Sequence, residues 1–211
     1  MSKKYNAALG AYEIIKQKEG PLVLGIGTGS TTDYFTKDFL LILKDKVTTL
    51  YSSSVRTTKL LLKLGFQVSE YDPNNSIDIY IDGADEVDKD LNLIKGGGGA
   101  HTREKIVAAS SKEFICIVDK SKLVKQLGNF PLPIEVIPES RSMVARKIVA
   151  LGGTPEYRNG FITDQGNEII DVKDLEIPDP EALEIYLNNI PGVVDNGIFA
   201  FNKPSTVLVS D

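Results

Sequence analysis

One order of events repeats along the chain. The apolar run Leu22-Val23-Leu24-Gly25-Ile26 ends in a glycine-rich turn, Gly27-Thr28-Gly29-Ser30-Thr31-Thr32, and then in Tyr34, Phe35, Phe39, Leu40 and Leu43 at helical spacing. The pattern recurs with a strand over 47–51 ahead of a helix over 55–64, a strand over 77–81 that runs into an acidic turn, and a helix over 102–111 ahead of a strand over 114–118. Strands separated by helices need crossover connections, and crossovers make neighbouring strands parallel. Residues 21–119 are therefore predicted to form a mostly parallel sheet covered by helices on both faces.

Around this core the punctuation is clear. Tyr5, Ala8, Leu9, Tyr12 and Ile15 predict a helix over 3–18 that Gly20-Pro21 stops. Ser30 or Thr31 is placed to cap the helix after the first strand, Gly65 closes the next one, and 66–68 reads as a short strand. From Asn129 the composition shifts, with Pro131, Pro133 and Pro138 around Ile134-Glu135-Val136-Ile137. A helix over 141–151, strands over 154–157, 161–163 and 168–171 joined by turns at Asn159-Gly160 and 164–166, and a helix over 180–188 give an α+β pattern with antiparallel hairpins.

The length, 211 residues, admits one or two domains. A formal charge of −5 without any dense Lys/Arg block disfavours a partner bound by phosphate neutralisation, such as nucleic acid. Cys116 and His101 are the sole cysteine and histidine, so one chain builds neither a disulfide framework nor a Cys/His zinc site, and a reducing, cytoplasmic location is expected. The first residues lack the apolar segment of a signal peptide, and no run approaches the ~18 apolar residues of a membrane span.

Four segments carry chemical possibilities. The turn over 25–31 offers exposed amides, two hydroxyls and a helix amino terminus, all suited to phosphate, although glycine here also fits a purely backbone role. It is neither a Walker loop nor the dinucleotide fingerprint, because Ser30 and Thr32 break the spacing, so ATP and NAD are poorly supported. Asp82, Asp85, Glu86 and Asp88 crowd the carboxyl end of a strand, where ligands bind in open α/β sheets and where crowding suits proton transfer. A solvated acidic turn and a hard-cation site are the alternatives, though Ala84 and Glu86 break the calcium-loop pattern. Lys95 precedes Gly96, Gly97, Gly98 and Gly99, a run with little structural rationale; the lysine is either a surface charge or a ligand group. Glu104 reads either as a first-turn helix acid or as a catalytic carboxylate, and His101 as structural or solvent-exposed.

Taken together, GIGTGSTT (25–32), DGADEVD (82–88), LIKGGGGA (93–100), REKIVA (103–108), VDKSK (118–122), FPLPIEVIP (130–138), TDQGNEIID (163–171) and PGVVDNGIF (191–199) resemble ribose-5-phosphate isomerase of type A over nearly the whole chain and in order. The resemblance implies a Rossmann-like α/β domain over 1–128 and 199–211, interrupted by a smaller α+β (ferredoxin-like) domain over 129–198. It implies interconversion of ribose 5-phosphate and ribulose 5-phosphate through a cis-enediolate, in the non-oxidative pentose phosphate pathway, with no metal or organic cofactor. The base falls on Glu104. Asp82 and Asp85, with Gly83 and Ala84 between them, fall on substrate contacts that assist ring opening and proton shuttling, and Lys95 on the cation beside the reacting oxygens. Gly96, Gly97 and Gly98 supply backbone contacts around it, while Thr28, Gly29, Ser30, Thr31 and Lys122 match further substrate contacts. Family members are commonly dimers or tetramers, so a homodimer or homotetramer is expected.

Two features depart from the family. Lysines near the amino terminus often assist phosphate binding there, whereas Lys3 and Lys4 are out of register, and His101 stands where relatives carry an apolar residue. Two other readings compete: a sugar-phosphate sensor on the same fold, and an acyl or CoA transferase with a glutamate nucleophile.

Overall fold

The structure, a computed structural model, describes residues 2–71 and 76–210. It opens with α1 (Lys3–Gln17), whose cap Ser2 accepts the Tyr5 N–H at 3.2 Å and whose buried face is Ala7, Ala8, Ala11 and Ile15. There follow β1 (Leu22–Ile26), α2 (Ser30–Tyr34), β2 (Val47–Ser52), α3 (Val55–Lys63) and β3 (Ile77–Asp82). Next come two strands of two residues each, β4 (Glu86–Val87) and β5 (Leu93–Ile94), then α4 (His101–Ala109) and β6 (Ser111–Asp119). The remainder is β7 (Leu132–Val136), α5 (Arg141–Ala150), β8 (Thr154–Tyr157), β9 (Glu168–Lys173), α6 (Pro180–Asn188), β10 (Val193–Asn196), β11 (Ile198–Phe199) and β12 (Thr206–Ser210).

The chain forms two compact units. The first holds the residues up to Gly83, Arg103–Lys122 and those from Pro204 on. Its five strands lie in the order β12-β6-β3-β1-β2, every pair parallel. Leu24, Ile26, Ile79, Ile81, Ile115 and Ile117 from the strands meet Ile15, Phe35, Leu40 and Leu61 from the helical segments in one core. Burying each such side chain stabilises by roughly 1.5–3 kcal/mol. From β1 the chain goes to β2 on one side and returns to β3 on the other, so the carboxyl ends of β1 and β3 flank the topological switch point, the usual ligand crevice of open α/β sheets.

The second unit, Ala84–Thr102 with Leu123–Lys203, carries the antiparallel sheet β10-β7-β9-β8. With α5 after β7 and α6 after β9 this is a β-α-β-β-α-β order, the ferredoxin-like arrangement, over a core of Ile134, Val136, Val144, Ile148, Ile170 and Leu187. A smaller sheet, β11-β5-β4, belongs to the same unit. The fold is thus mixed α/β, with a parallel sheet and a separate antiparallel one. Among the described residues no helix is long and apolar enough to cross a membrane.

Four expectations change. The boundaries differ from 129–198, because residues 84–102, 123–128 and 199–203 also join the second unit. The buried Glu86 carboxylate accepts the N–H groups of Gly128 and Phe130 at 2.8 and 2.7 Å, and Ile94 of β5 pairs with Ile198 of β11, which ties those segments together. Residues 66–68 form no strand; the next residue, Ser69, gives a lone bond to the Leu50 carbonyl at 2.9 Å. Residues 161–163 form no strand either, because the Phe161 ring fills the space over Gly99 and the Thr163 hydroxyl bonds Glu135. Finally, the cap position of α2 is Gly29, so Ser30 and Thr31 lie inside the helix, which continues as a π-helical turn over Phe35–Phe39.

A surface pair on the first unit gives a pH-dependent prediction. Burial alone raises the Asp78 carboxyl pKa, but bonds from Lys112 Nζ and the Val23 N–H, each 2.8 Å, outweigh it and hold the group below its usual value. A depressed folded pKa contributes stability that is present above the unfolded value of about 3.9 and lost as pH falls through the folded one. Lys112→Met is therefore expected to lower Tm by only about 2–3 °C at pH 7, the lysine being exposed, with a gap that closes below about pH 3.9 in thermal melts.

Candidate active site

The strand ends of the first unit converge on one carboxylate. Asp82 terminates β3 with no solvent exposure, and its Oδ1 accepts the N–H groups of Thr28 (2.9 Å) and Gly83 (2.7 Å) and the Thr32 hydroxyl (3.2 Å). Its Oδ2 accepts the Tyr80 hydroxyl. A Cβ at Gly27 would lie 2.0 Å from Asp82 Cγ, so glycine is required there for the carboxylate to reach under the turn. Thr28 faces a hydroxyl cluster, with its Oγ1 donating to Ser54 Oγ at 2.7 Å and lying 3.0 and 3.1 Å from Ser53 Oγ and Thr57 Oγ1. These groups hold the glycine turn rigidly around Thr28 while Ser30 stays exposed.

Ser30 is met by a cation from far away in sequence. Lys4 Nζ, from the first turn of α1, donates to Ser30 Oγ at 2.7 Å, so this lysine reaches the turn after β1. Asp119, at the end of β6, is held below the usual carboxylate range by the Ser121 hydroxyl first, with the charges of Lys122 and Lys4 adding to it. Lys4 and Lys122 thus share one acidic neighbour, Asp119, and Lys4 stands beside Ser30 at the start of α2.

Glu104 lies in the first turn of α4 with 4% of its surface exposed, so it is no solvated helix acid. Burial, then the charges of Asp82 and Glu104, push the Tyr80 hydroxyl well above its ordinary value and keep it a donor. Asp82, Tyr80 and Glu104 accordingly form one electrostatic neighbourhood in the first unit.

In the second unit the acidic run is divided rather than pooled. Asp85 accepts the Gly97 N–H at 2.8 Å, Glu86 braces Gly128 and Phe130, and Asp88 takes the N–H groups of Asp90 and Asn92 with the Asn92 amide. Crowding of carboxylates is thus replaced by separate backbone ties. Among the described residues no three His, Cys, Asp or Glu side chains gather to hold a metal. Lys95 leaves the end of β5, the middle strand of the small sheet, and is 2% exposed with its ammonium 5.5 Å from the Phe199 ring centre. The surface-charge reading of Lys95 fails.

The glycine run has mostly internal reasons. Gly96 (φ +104°) is covered by His101, where a Cβ would lie 2.7 Å from Nδ1, and Gly99 (φ +76°) by the Phe161 ring. Gly97 abuts Asp85 and Phe130, and Gly98 alone faces open space. His101 is fully buried, which removes the solvent-exposed reading.

Comparison with known proteins decides the family. The profile of ribose 5-phosphate isomerase A (phosphoriboisomerase A) matches residues 49–211. A ribose-5-phosphate isomerase A of Francisella tularensis subsp. novicida is 52% identical over 202 residues, 96% of this chain and 90% of that protein. The chain belongs to the ribose 5-phosphate isomerase A family. The solved structure of the family member from Neisseria gonorrhoeae superposes with a TM-score of 0.91 at 40% identity, covering 100% of this chain and 94% of that one. A D-ribose-5-phosphate isomerase in complex with phospho-erythronic acid has a TM-score of 0.90 at 39% identity, covering 99% and 96%.

Against the family's pattern, Thr28, Gly29, Ser30, Thr31, Asp82, Gly83, Glu104 and Lys122 fall in the first unit and Ala84, Asp85, Lys95, Gly96, Gly97 and Gly98 in the second. The unit boundaries fall at Gly83/Ala84 and Thr102/Arg103. The sequence reading missed Tyr80, Arg158 and Glu135, and it set Lys4 aside. Tyr80 had a signal, since residues two apart on a strand share a face and Tyr80 precedes Asp82 by two. Lys4 was raised by its place near the amino terminus, but no local pattern ties it to Ser30, 26 residues away.

Proposed function

We propose that this protein interconverts ribose 5-phosphate and ribulose 5-phosphate, with Glu104 as the base. The observation that carries the reading is a pair of buried charges, Lys95 at 2% and Glu104 at 4% exposure, at the two positions the family resemblance gives to the cation and the base. In the open-chain aldose the Glu104 carboxylate removes the proton on C2. The C2–H electrons form the C1=C2 bond, and the carbonyl π pair moves onto O1. The fixed Lys95 cation stabilises that oxyanion, where preorganised charge acts most strongly. Glu104 then returns its proton to C1 while a proton passes from O2 to O1, leaving the ketone at C2. Asp85 and Asp82 bind the sugar hydroxyls and assist this shuttle. Gly83, Ala84 and the 96–98 backbone complete the sugar contacts.

The phosphate goes to Ser30 and Thr31 at the start of α2, with Lys4 and Lys122 as its cations and Thr28 and Gly29 shaping the turn. Only protons move, so the chemistry calls for neither a metal nor an organic cofactor. Phospho-erythronic acid, held by a structural relative, supports this reading: its carboxylate presents two oxygens sharing negative charge on one side, as the cis-enediolate does with one oxygen on each of C1 and C2. The proposed setting is the non-oxidative pentose phosphate pathway in the cytoplasm, with the chain as a homodimer or homotetramer, as the family resemblance implies.

The test is ketopentose-phosphate formation from ribose 5-phosphate with EDTA present. Robust turnover is expected. Turnover abolished by EDTA would remove the metal-free mechanism, and binding of ribose 5-phosphate without turnover would make the chain a sugar-phosphate sensor.

A further inference from the structure

We infer that Arg158, braced by Asp171, is a positioning residue that fixes the Gly96–Gly97 peptide and through it Asp85. The inference rests on the roles given above to Asp85 and Lys95. Arg158 follows β8, and its own N–H bonds the Ile169 carbonyl at 2.9 Å, so its backbone is part of the hairpin ladder. The guanidinium forms a forked pair with Asp171, Nε to Oδ2 at 2.7 Å and Nη2 to Oδ1. Such a pair satisfies Asp171 by itself. Nη1 nevertheless also reaches the carbonyls of Gly96 and Gly97 at 3.3 and 3.2 Å, and Nη2 reaches Gly96 O at 3.3 Å.

The other end of the same peptide bond is held too. The Gly97 N–H donates to Asp85 Oδ2 at 2.8 Å. One amide plane therefore has a cation on its carbonyl and a carboxylate on its N–H, and each polarises the amide in the sense that strengthens the other bond. Four consecutive glycines have the least intrinsic stiffness a backbone can have. The run closes one turn of its own, with the Gly99 N–H on the Gly96 carbonyl at 2.8 Å, and Arg158 adds ties from outside at Gly96 and Gly97 while Phe161, with its ring centre 5.3 Å from the guanidinium, covers Gly99. Lys95 immediately precedes this peptide and Asp85 bonds it, so tilting the amide plane shifts a substrate aspartate and loosens the lysine's chain neighbour.

Arg158→Met, Arg158→Lys and Asp171→Asn are to be compared with the wild type and Glu104→Gln in ribose 5-phosphate isomerisation, with Tm recorded for each. Arg158→Met is expected to lose roughly 10²-fold, the scale of an ~1 Å misplacement, mainly in kcat rather than KM. Arg158→Lys keeps the charge without the fork and restores only part of the rate. Added guanidinium ion is expected to raise the Arg158→Met rate while leaving Glu104→Gln unmoved, a rescue that a merely structural tie would not show. A folded Arg158→Met protein with kcat within about twofold of wild type overturns the inference. Should that variant not fold, Arg158→Lys decides in its place by the same criterion. A wild type that does not isomerise ribose 5-phosphate, or a fully active Glu104→Gln, faults the reaction assignment and this inference with it. A normal wild type and an inactive Glu104→Gln beside a normal Arg158→Met fault the inference alone.

Discussion

Glu104→Gln is expected to lower isomerisation of ribose 5-phosphate by about 10²–10⁴-fold, the range that general-base removal typically costs. The amide matches the carboxylate in size, so the buried first turn of α4 is filled as before. What disappears is the lone pair able to take and return the C2 proton. The change also removes one of the charges that raise the Tyr80 hydroxyl, but burial and Asp82 remain, so Tyr80 still donates to Asp82. Initial rates in the presence of EDTA read the loss, and deuterium delivered from heavy water to C1 of the product reports the proton transfer itself. Undiminished turnover in a folded Glu104→Gln protein would sink the assignment of the base.

The parallel half was legible because its signals are local and long enough. Strands β1 and β6 contain continuous apolar runs, residues 22–26 and 114–118, as buried parallel strands do, while β2 and β3 mix apolar with polar residues, β3 as the alternation Ile77-Asp78-Ile79. The two-residue strands β4, β5 and β11 escaped for the same reason, being too short for any periodicity. Their pairing partners are set by tertiary contacts such as Ile94 opposite Ile198. Those contacts also moved the unit boundaries to Ala84 and Leu123.

Phe161 and Thr163 show the opposite error. An aromatic and a β-branched residue flanked by turn signals look like a strand, yet both were placed by long-range partners, Gly99 for the ring and Glu135 for the hydroxyl. In the site, residue types at strand ends pointed to Asp82 and left Lys95 open between surface charge and ligand group, Glu104 was singled out as base only by the family resemblance, and the burial of all three was invisible in the sequence. The acidic run misled because charge spacing says nothing about backbone donors: Glu86 and Asp88 are loop braces. Lys4 and Arg158 lie 26 and 62 residues from the groups they bond, beyond the reach of any local pattern.

Glu135 shows how strongly an unremarked residue can hold the second unit. It sits in β7 with no solvent exposure, and its carboxylate accepts the Thr102 and Thr163 hydroxyls and the Asn167 side-chain amide. All three partners are neutral donors, two hydroxyls and one amide. Glu135→Val fits the strand but leaves those three donors without their acceptor. Each buried unsatisfied group costs about 1–3 kcal/mol, and with hydroxyl rotation relieving part of this the variant is expected to lose about 3–4 kcal/mol. For a chain of this length that is a Tm decrease of about 10 °C in a thermal melt. Glu135→Gln keeps one acceptor oxygen but adds two donors that compete with Asn167, and an intermediate loss is expected. Because Thr102 stands in the first turn of α4, two residues before Glu104, the same variant should also lower kcat in protein assayed well below its Tm. A Tm within about 2 °C of wild type would show that the three donors find other acceptors, and that Glu135 is not what fixes the start of the helix bearing the base.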